Sequence, residues 1–236
     1  MLMCAIETSG KNCSVALLRD AEVLAYDSLL EPARHSIVLM PLVDRLFRQC
    51  SLAPADVDVF AVGVGPGSFT GLRIGIGTIK GLAFPYHTPC AGVSTLASLA
   101  CSAGTSSRTI LPVIDARRGR VYAGAYRWQS YPCAIAEDGV TPICQLWQEY
   151  SDHDVLFIGD AASICYTIWE DNGYAHRAEC MQCEPDALGT AMAAQRIVEE
   201  GLTVSPALLV PRYLLETQAE RECAARENTH ENIHSQ

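Results

Sequence analysis

Apolar and polar positions alternate between two grammars along this chain. Residues 2–7 form a short apolar run that ends in an acid. Residues 13–19 and 22–28 follow, joined at Asp20-Ala21, so the opening predicts three strands with a tight turn. Over residues 35–50 the period becomes helical, with Leu39, Leu42, Val43, Leu46 and Phe47 on one broad face. Pro41 inside that stretch removes a backbone donor, which predicts a kink or a fresh start there. Residues 57–64 are almost continuously apolar, the pattern of a strand covered on both faces. Residues 72–84 read as a helix, 90–93 as a strand and 94–101 as a helix.

The small polar segment 102–108 is the best candidate boundary. Beyond it the grammar restarts. Residues 110–115 are apolar and end in an acid, and 120–128 follow a turn at Gly119. Residues 155–159 read as a buried strand and 161–170 as a helix. Residues 186–200 form an amphipathic helix stopped by Gly201. A strand–acid–turn–strand unit therefore occurs at Ile6-Glu7 and again at Ile114-Asp115. The division predicted is two related α/β lobes, residues 1–104 and 105–215, facing a cleft, with a polar tail over 216–236.

Charge narrows the function classes. Seventeen Lys plus Arg stand against twenty-seven Asp plus Glu, a formal net charge of −10. A stand-alone nucleic-acid binder neutralises phosphates with clustered cations, and the lysines here are Lys11 and Lys80 alone. Eleven cysteines, odd in number and irregular in spacing, point to reduced thiols buried as small hydrophobes. Glu7 interrupts the first apolar run, no basic segment precedes it, and no apolar stretch reaches the roughly 18–20 residues of a membrane span. The expectation is a cytoplasmic protein with no membrane contact.

The most informative stretch is Gly65 to Gly81, GPGSFTGLRIGIGTIKG. A Gly-rich loop entering a helix can cradle phosphate, but Gly71 is followed by Leu72 and Arg73, so no P-loop is present, and the dinucleotide fingerprint is also absent. An ordinary turn capped by Ser68 or Thr70 is the preferred reading. Gly75, Gly77 and Gly81 inside a helix each cost about 1 kcal/mol relative to Ala. Close helix packing is the usual compensation. Gly71 and Gly75 form one side-chain-free strip and Gly77 and Gly81 another, open either to the helix at 35–50 or to another subunit. On the second reading Gly75→Leu weakens pairing and spares the fold.

The run Gly65-Pro66-Gly67-Ser68-Phe69-Thr70-Gly71-Leu72-Arg73-Ile74-Gly75, with Lys80-Gly81-Leu82-Ala83, closely resembles the signature of the TsaB (YeaZ) family. Ile6-Glu7-Thr8-Ser9, His35-Ser36, Gly92-Val93-Ser94-Thr95-Leu96, Ile114-Asp115-Ala116-Arg117 and Pro211-Arg212-Tyr213-Leu214 match in order along nearly the whole chain. The resemblance implies two α/β lobes of the actin/Hsp70/sugar-kinase type, each with a mixed sheet flanked by helices. It implies a non-catalytic subunit in threonylcarbamoyl transfer to the tRNA adenosine beside the anticodon. Such a subunit pairs with a catalytic TsaD-type paralogue, is joined by a TsaE-type ATPase, also self-associates, and meets tRNA only through the complex. Carried onto this chain, the interface is His35, Leu39, Leu42, Val43, Leu46 and Phe47 with Leu72, Arg73, Gly75, Ile76, Thr78 and Ile79. No cofactor of its own is expected, ATP or ADP and a metal ion belonging to the partners.

Departures from an active site of that fold are visible in both loops. Glu7 stands where the fold class begins with Asp, and the second loop reads Asp115-Ala116-Arg117-Arg118-Gly119, crowded where glycine would admit a phosphate. Glu7, Ser9, Asp115 and Arg117 are therefore read as remnants of a nucleotide site, and Arg117, Arg118 and Arg120 as a solvated turn in preference to a contact for an anionic ligand or tRNA in a complex. The alternative is an autonomous phosphotransferase using Glu7 and Asp115 around magnesium. His230-Glu231-Asn232-Ile233-His234 fits a zinc-peptidase spacing but lies in the polar tail with no third ligand after it. Cys180 and Cys183 form a lone C-x-x-C pair near His176, too little for a metal site.

Overall fold

The computed structural model describes residues 1–31 and 34–215. The chain opens with strands β1 (Leu2–Glu7), β2 (Asn12–Arg19) and β3 (Glu22–Leu30). Helix α1 (His35–Gln49), strand β4 (Val59–Gly65), helix α2 (Phe69–Ala83), strand β5 (Cys90–Ser94) and helix α3 (Thr95–Ser102) follow. The second half holds β6 (Thr109–Asp115), β7 (Arg120–Trp128), β8 (Pro132–Pro142), α4 (Ile143–Tyr150), β9 (Val155–Ile158), α5 (Ala162–Asp171), β10 (Ala178–Met181) and α6 (Ala187–Glu199).

The repeat suggested by the sequence is a repeat of topology. The first sheet runs β3-β2-β1-β4-β5 and the second, read from its other edge, β8-β7-β6-β9-β10. In each, an antiparallel three-strand meander is extended by two parallel strands. This duplicated mixed sheet is the two-lobed α/β architecture that the resemblance implied.

Strand alternation sorts the helices into layers. Cys4, Ile6, Val15, Leu17, Phe60 and Val62 face α1 and α2, while Met3, Ala5, Ala16, Ala61 and Ala91 face α6. In the second sheet Leu111, Val113 and Phe157 face α4 and α5, and Ile110, Tyr126 and Ile158 face α3. α3 and α6 pack on each other between the sheets. They approach so closely that a Cβ on Gly189 would lie 2.4 Å from the Ser98 carbonyl oxygen.

Two boundaries differ from the sequence reading. α2 begins at Phe69, a turn before Leu72, because Ser68 Oγ caps it by accepting from Gly71 N–H at 3.2 Å. The contiguous division at residue 104 needs correction. α6 follows the second sheet in sequence yet packs on the first, because its alanines offer a flat surface to Ala5, Ala16 and Ala61. The chain then stays with the first lobe: Val204 pairs with Cys90, and Arg212 N–H donates to Val64 O at 2.7 Å. The first lobe is thus 1–104 plus the segment from 187 to 213. Strands β8 and β10 and helix α4 had no counterpart in the sequence reading. β8 and β10 are sheet edges with one fully buried residue each, β8 being otherwise half-buried or exposed and β10 exposed, so few of their positions need be apolar.

Asp138 on β8 ties the lobes together. Its carboxylate accepts from Ser94 Oγ at 2.5 Å and from Tyr126 OH at 2.7 Å, and Ser94 Oγ also caps α3. Charged hydrogen bonds of this kind contribute about 1.5–3 kcal/mol each. Asp138→Ala is expected to lower the unfolding free energy by about 3 kcal/mol, read by urea denaturation. A loss within the ±0.5 kcal/mol typical of surface changes would remove the clamp from this account.

Candidate functional site

Between the lobes lies a cleft of about 600 Å³. One wall is the β1–β2 loop (Ser9, Gly10, Lys11) with the starts of α1 and α2, and the other is the β6–β7 loop with Asp160, Glu184 and Pro185. Both predicted remnant loops therefore meet here.

Glu7 does not face the cleft. Its side chain is 0% exposed. Oε1 accepts from the N–H groups of Thr8 at 2.8 Å and Ser9 at 2.7 Å, and Oε2 accepts from Thr190 Oγ1 at 3.0 Å. The neighbouring strand must carry glycine, since a Cβ on Gly63 would lie 2.2 Å from Oε2. Burial pushes the Glu7 carboxyl above its usual range, against the pull of the Ser9, Thr190 and Thr8 hydrogen bonds. A phosphate cradle needs free backbone N–H groups. Two of those in this loop are spent on the chain's own acid.

The second loop is closed on itself as well. Asp115 Oδ1 accepts from Arg117 N–H at 2.7 Å, Asp160 Oδ1 accepts from Asp115 N–H at 2.9 Å, and Ala116 N–H donates to Arg120 O at 3.0 Å. Arg117, Arg118 and Gly119 turn in the left-handed region at φ 66°, 57° and 71°. The Arg117 guanidinium, with its side chain 87% exposed, pairs with Asp115 at 3.4 Å. Burial, with the charges of Glu184 and Asp115, raises the Asp160 carboxyl. The residues present therefore do not fit a nucleotide triphosphate with its metal ion. Among the described residues no cluster of His, Cys, Asp and Glu could hold a metal. The His230–His234 spacing lies outside the described residues.

The residues assigned to the interface are placed differently from expectation. His35, Leu39, Leu42, Val43, Leu46 and Phe47 of α1 and Leu72, Gly75, Ile76 and Ile79 of α2 are buried in their own chain. The apolar face that periodicity detects packs on the first sheet, so it cannot also meet a partner. Thr78 is half-buried. Arg73 is exposed, lies 4.0 Å over the Phe69 ring and donates from Nε to Tyr213 OH at 3.0 Å. The Gly71–Gly75 strip is internal too: a Cβ on Gly71 would lie 2.0 Å from Thr8 O, and one on Gly75 2.4 Å from Thr8 Oγ1. Gly75 is buried in its own chain and Gly75→Leu is expected to disturb the fold, which corrects the reading of Gly75 as an exposed docking position.

The other strip is open. A Cβ on Gly77 or Gly81 would meet nothing within 4 Å. On α1 Ile37 is 62% exposed and Met40 48%, and Phe84 at the end of α2 is 63% exposed. Sequence reasoning missed Ile37 and Met40 because they fall off the core face. Their signal was there: apolar side chains three apart, on a helix side that the core pattern leaves free.

A family model described as TsaD, tRNA N6-adenosine threonylcarbamoyltransferase, matches residues 31–223. The tRNA threonylcarbamoyladenosine biosynthesis protein TsaB of Bacillus subtilis (strain 168) is 35% identical over 174 residues, 72% of this chain and 76% of that protein. Its Escherichia coli (strain K12) namesake is 40% identical over 129 residues, 54% of this chain and 55% of that protein. The solved structure of YeaZ from Pseudomonas aeruginosa superposes with a TM-score of 0.76 at 31% identity, covering 90% of this chain and 99% of that one. The chain belongs to the TsaB (YeaZ) family.

A TsaB-family chain with a buried first-loop acid has a defined pH signature. The Glu7 carboxyl is raised in the folded state above its ordinary value of 4.5. Its contribution to stability is then fully present below that value and is lost as pH rises through the folded value. Glu7→Gln keeps the acceptor for Thr8 and Ser9 and removes the charge. The variant is expected to gain on the natural chain between pH 4.5 and neutrality, as measured by urea midpoints across that range. A difference that does not change with pH would show that the carboxyl is not raised.

Proposed function

We propose that this chain is the non-catalytic subunit in threonylcarbamoyladenosine synthesis on tRNA, docking the outer faces of α1 and α2 onto a TsaD-type paralogue. The observation that carries the proposal is the open Gly77–Gly81 strip on α2, with Phe84 exposed at the end of that helix and Ile37 and Met40 exposed on α1. Three helical glycines cost stability in the monomer. Gly75 recovers that cost inside the chain, whereas Gly77 and Gly81 recover nothing there. A helix laid against them would gain close backbone contact, with the apolar side chains covered at its sides.

Supporting this partner, the TsaD family model matches most of this chain, so a paralogue of that type brings a comparable helix pair. A second copy of this chain would compete for the same face. A TsaE-type ATPase would join the pair, with ATP or ADP and a metal ion held by the partner subunits. Acyl transfer would occur on the paralogue, and tRNA would be reached through the complex, consistent with the net charge of −10. The setting is the cytoplasm. Among the described residues no helix is long and apolar enough to cross a membrane. A phosphotransferase built on Glu7 and Asp115 is disfavoured by the inward turn of Glu7.

Gly77→Leu separates docking from folding. It removes a helical glycine in open space, so the isolated chain should gain up to about 1 kcal/mol in urea denaturation. The same change should abolish co-elution with the paralogue and tRNA modification by the reconstituted mixture. Unchanged co-elution would refute the assignment of the face. Asp115→Ala should leave modification at the natural rate, and loss of activity with pairing intact would reinstate a chemical role for this cleft.

A further inference from the structure

A second cavity, of about 260 Å³, opens on the seam between the lobes and shares no residue with the cleft or with α1 and α2. One side is made by α3 and α6, through Ala97, Cys101, Met192 and Ala193, and the other by β7 and β8, through Tyr126 and Ala134. Near Gly189 the same two helices are too close to admit a Cβ, whereas Ala97 and Ala193 border open space. Protein interiors are close-packed, and the lining of a void forfeits dispersion contacts. Here short side chains at 97, 134 and 193 leave the volume unfilled.

The polar groups in the floor are spent on one another. Ser94 Oγ and Tyr126 OH both donate to Asp138, and Ser94 Oγ accepts from the N–H groups of Leu96 at 3.2 Å and Ala97 at 3.4 Å. A water held in a cavity needs about two to four polar partners, and an apolar cavity of about 150 Å³ stays dry and takes up benzene. By the same measure 260 Å³ suits a bicyclic ring system. The charged side chains in the wall, Arg196 and Glu200, pair with each other at 2.7 Å, and the Arg196 guanidinium lies 5.3 Å over the Tyr131 ring. Both are about 40% exposed and, with Met192, mark the entrance. A charged ligand would have to disrupt that pair, whereas an uncharged one leaves it intact.

We propose that this cavity binds an uncharged bicyclic aromatic molecule, its ring held between Ala97 of α3 and Ala193 of α6 and its edge toward Arg196 and Glu200. Such a ligand touches both lobes at once and stabilises their arrangement by mass action. The site uses no residue of the proposed docking face, so it stands or falls independently of the pairing with a paralogue.

The experiment labels the methionine methyl groups of the full chain with carbon-13 and titrates indole, with indoleacetate and tryptamine as its anionic and cationic analogues. The Met192 methyl should show a saturable ring-current shift with indole, while the exposed Met40 and Met181 methyls stay in place. Each charged analogue should bind at least about tenfold more weakly, a factor that corresponds to roughly 1.4 kcal/mol. Ala193→Leu fills the cavity and should weaken indole by about tenfold or more. Thermal unfolding confirms that the variant is folded, and Ala97→Leu on the facing helix gives the same reading should Ala193→Leu fail to fold. No saturable shift at Met192, equal shifts at Met40 and Met181, a charged analogue that binds as tightly as indole, or an indole affinity unchanged in the folded variant would each overturn the proposal.

Discussion

The buried carboxylate of Glu7 organises this molecule. At the end of β1 it turns away from the cleft and gathers the N–H groups of Thr8 and Ser9 and the hydroxyl of Thr190. Thr190 in turn meets Ser98 Oγ on α3 at 3.1 Å. One side chain therefore joins the first strand, the first loop and the α3–α6 layer between the sheets. Burying a charge is expensive unless it is well hydrogen-bonded. Here the compensating donors are two backbone N–H groups of the first loop and one hydroxyl. The contact that orders the first loop also engages two of its backbone N–H groups.

That constraint separates the inner and outer faces of the helix pair. Thr8 Oγ1 donates to Gly71 O at 2.8 Å, and the β1–β2 loop presses so closely on α2 that Gly71 and Gly75 can bear no side chain. The inner glycines are thus explained by the fold. The outer ones are not: a Cβ on Gly77 or Gly81 would meet nothing within 4 Å. The segment after α6 frames this face. Tyr213 stacks on Phe69 with ring centroids 5.2 Å apart and accepts from Arg73, and Lys80 Nζ donates to Ala207 O at 3.3 Å. The two basic residues of α2 are accordingly engaged by the chain's own returning segment.

Much of this was legible in the residues. Continuous apolar runs located β1, β4 and β9, because a strand covered on both faces has no polar positions to obscure it. The acid at the end of β1 and of β6 marked both loops, and the motif from Gly65 to Gly75 carried the family. The edge strands β8 and β10 escaped, because each buries only one residue fully and few of their positions had to be apolar. Most residues read as interface, on two correctly located helices, are buried against the chain's own first sheet. Hydrophobic periodicity reports the face with the most apolar residues, which in a monomer is the face toward its own sheet.

The sequence by itself determined the element order, the duplicated strand–acid–turn unit, the family and the departure at Glu7, because each is a property of neighbours along the chain. Only the tertiary structure decided which way the Glu7 carboxylate turns, which pair of glycines lies open and which lobe receives α6. Those depend on contacts between residues far apart in sequence: Glu7 with Thr190, Gly75 with Thr8, and the alanines of α6 with those of the first sheet. Local pattern cannot encode the direction of a side chain whose partners arrive from the far end of the chain.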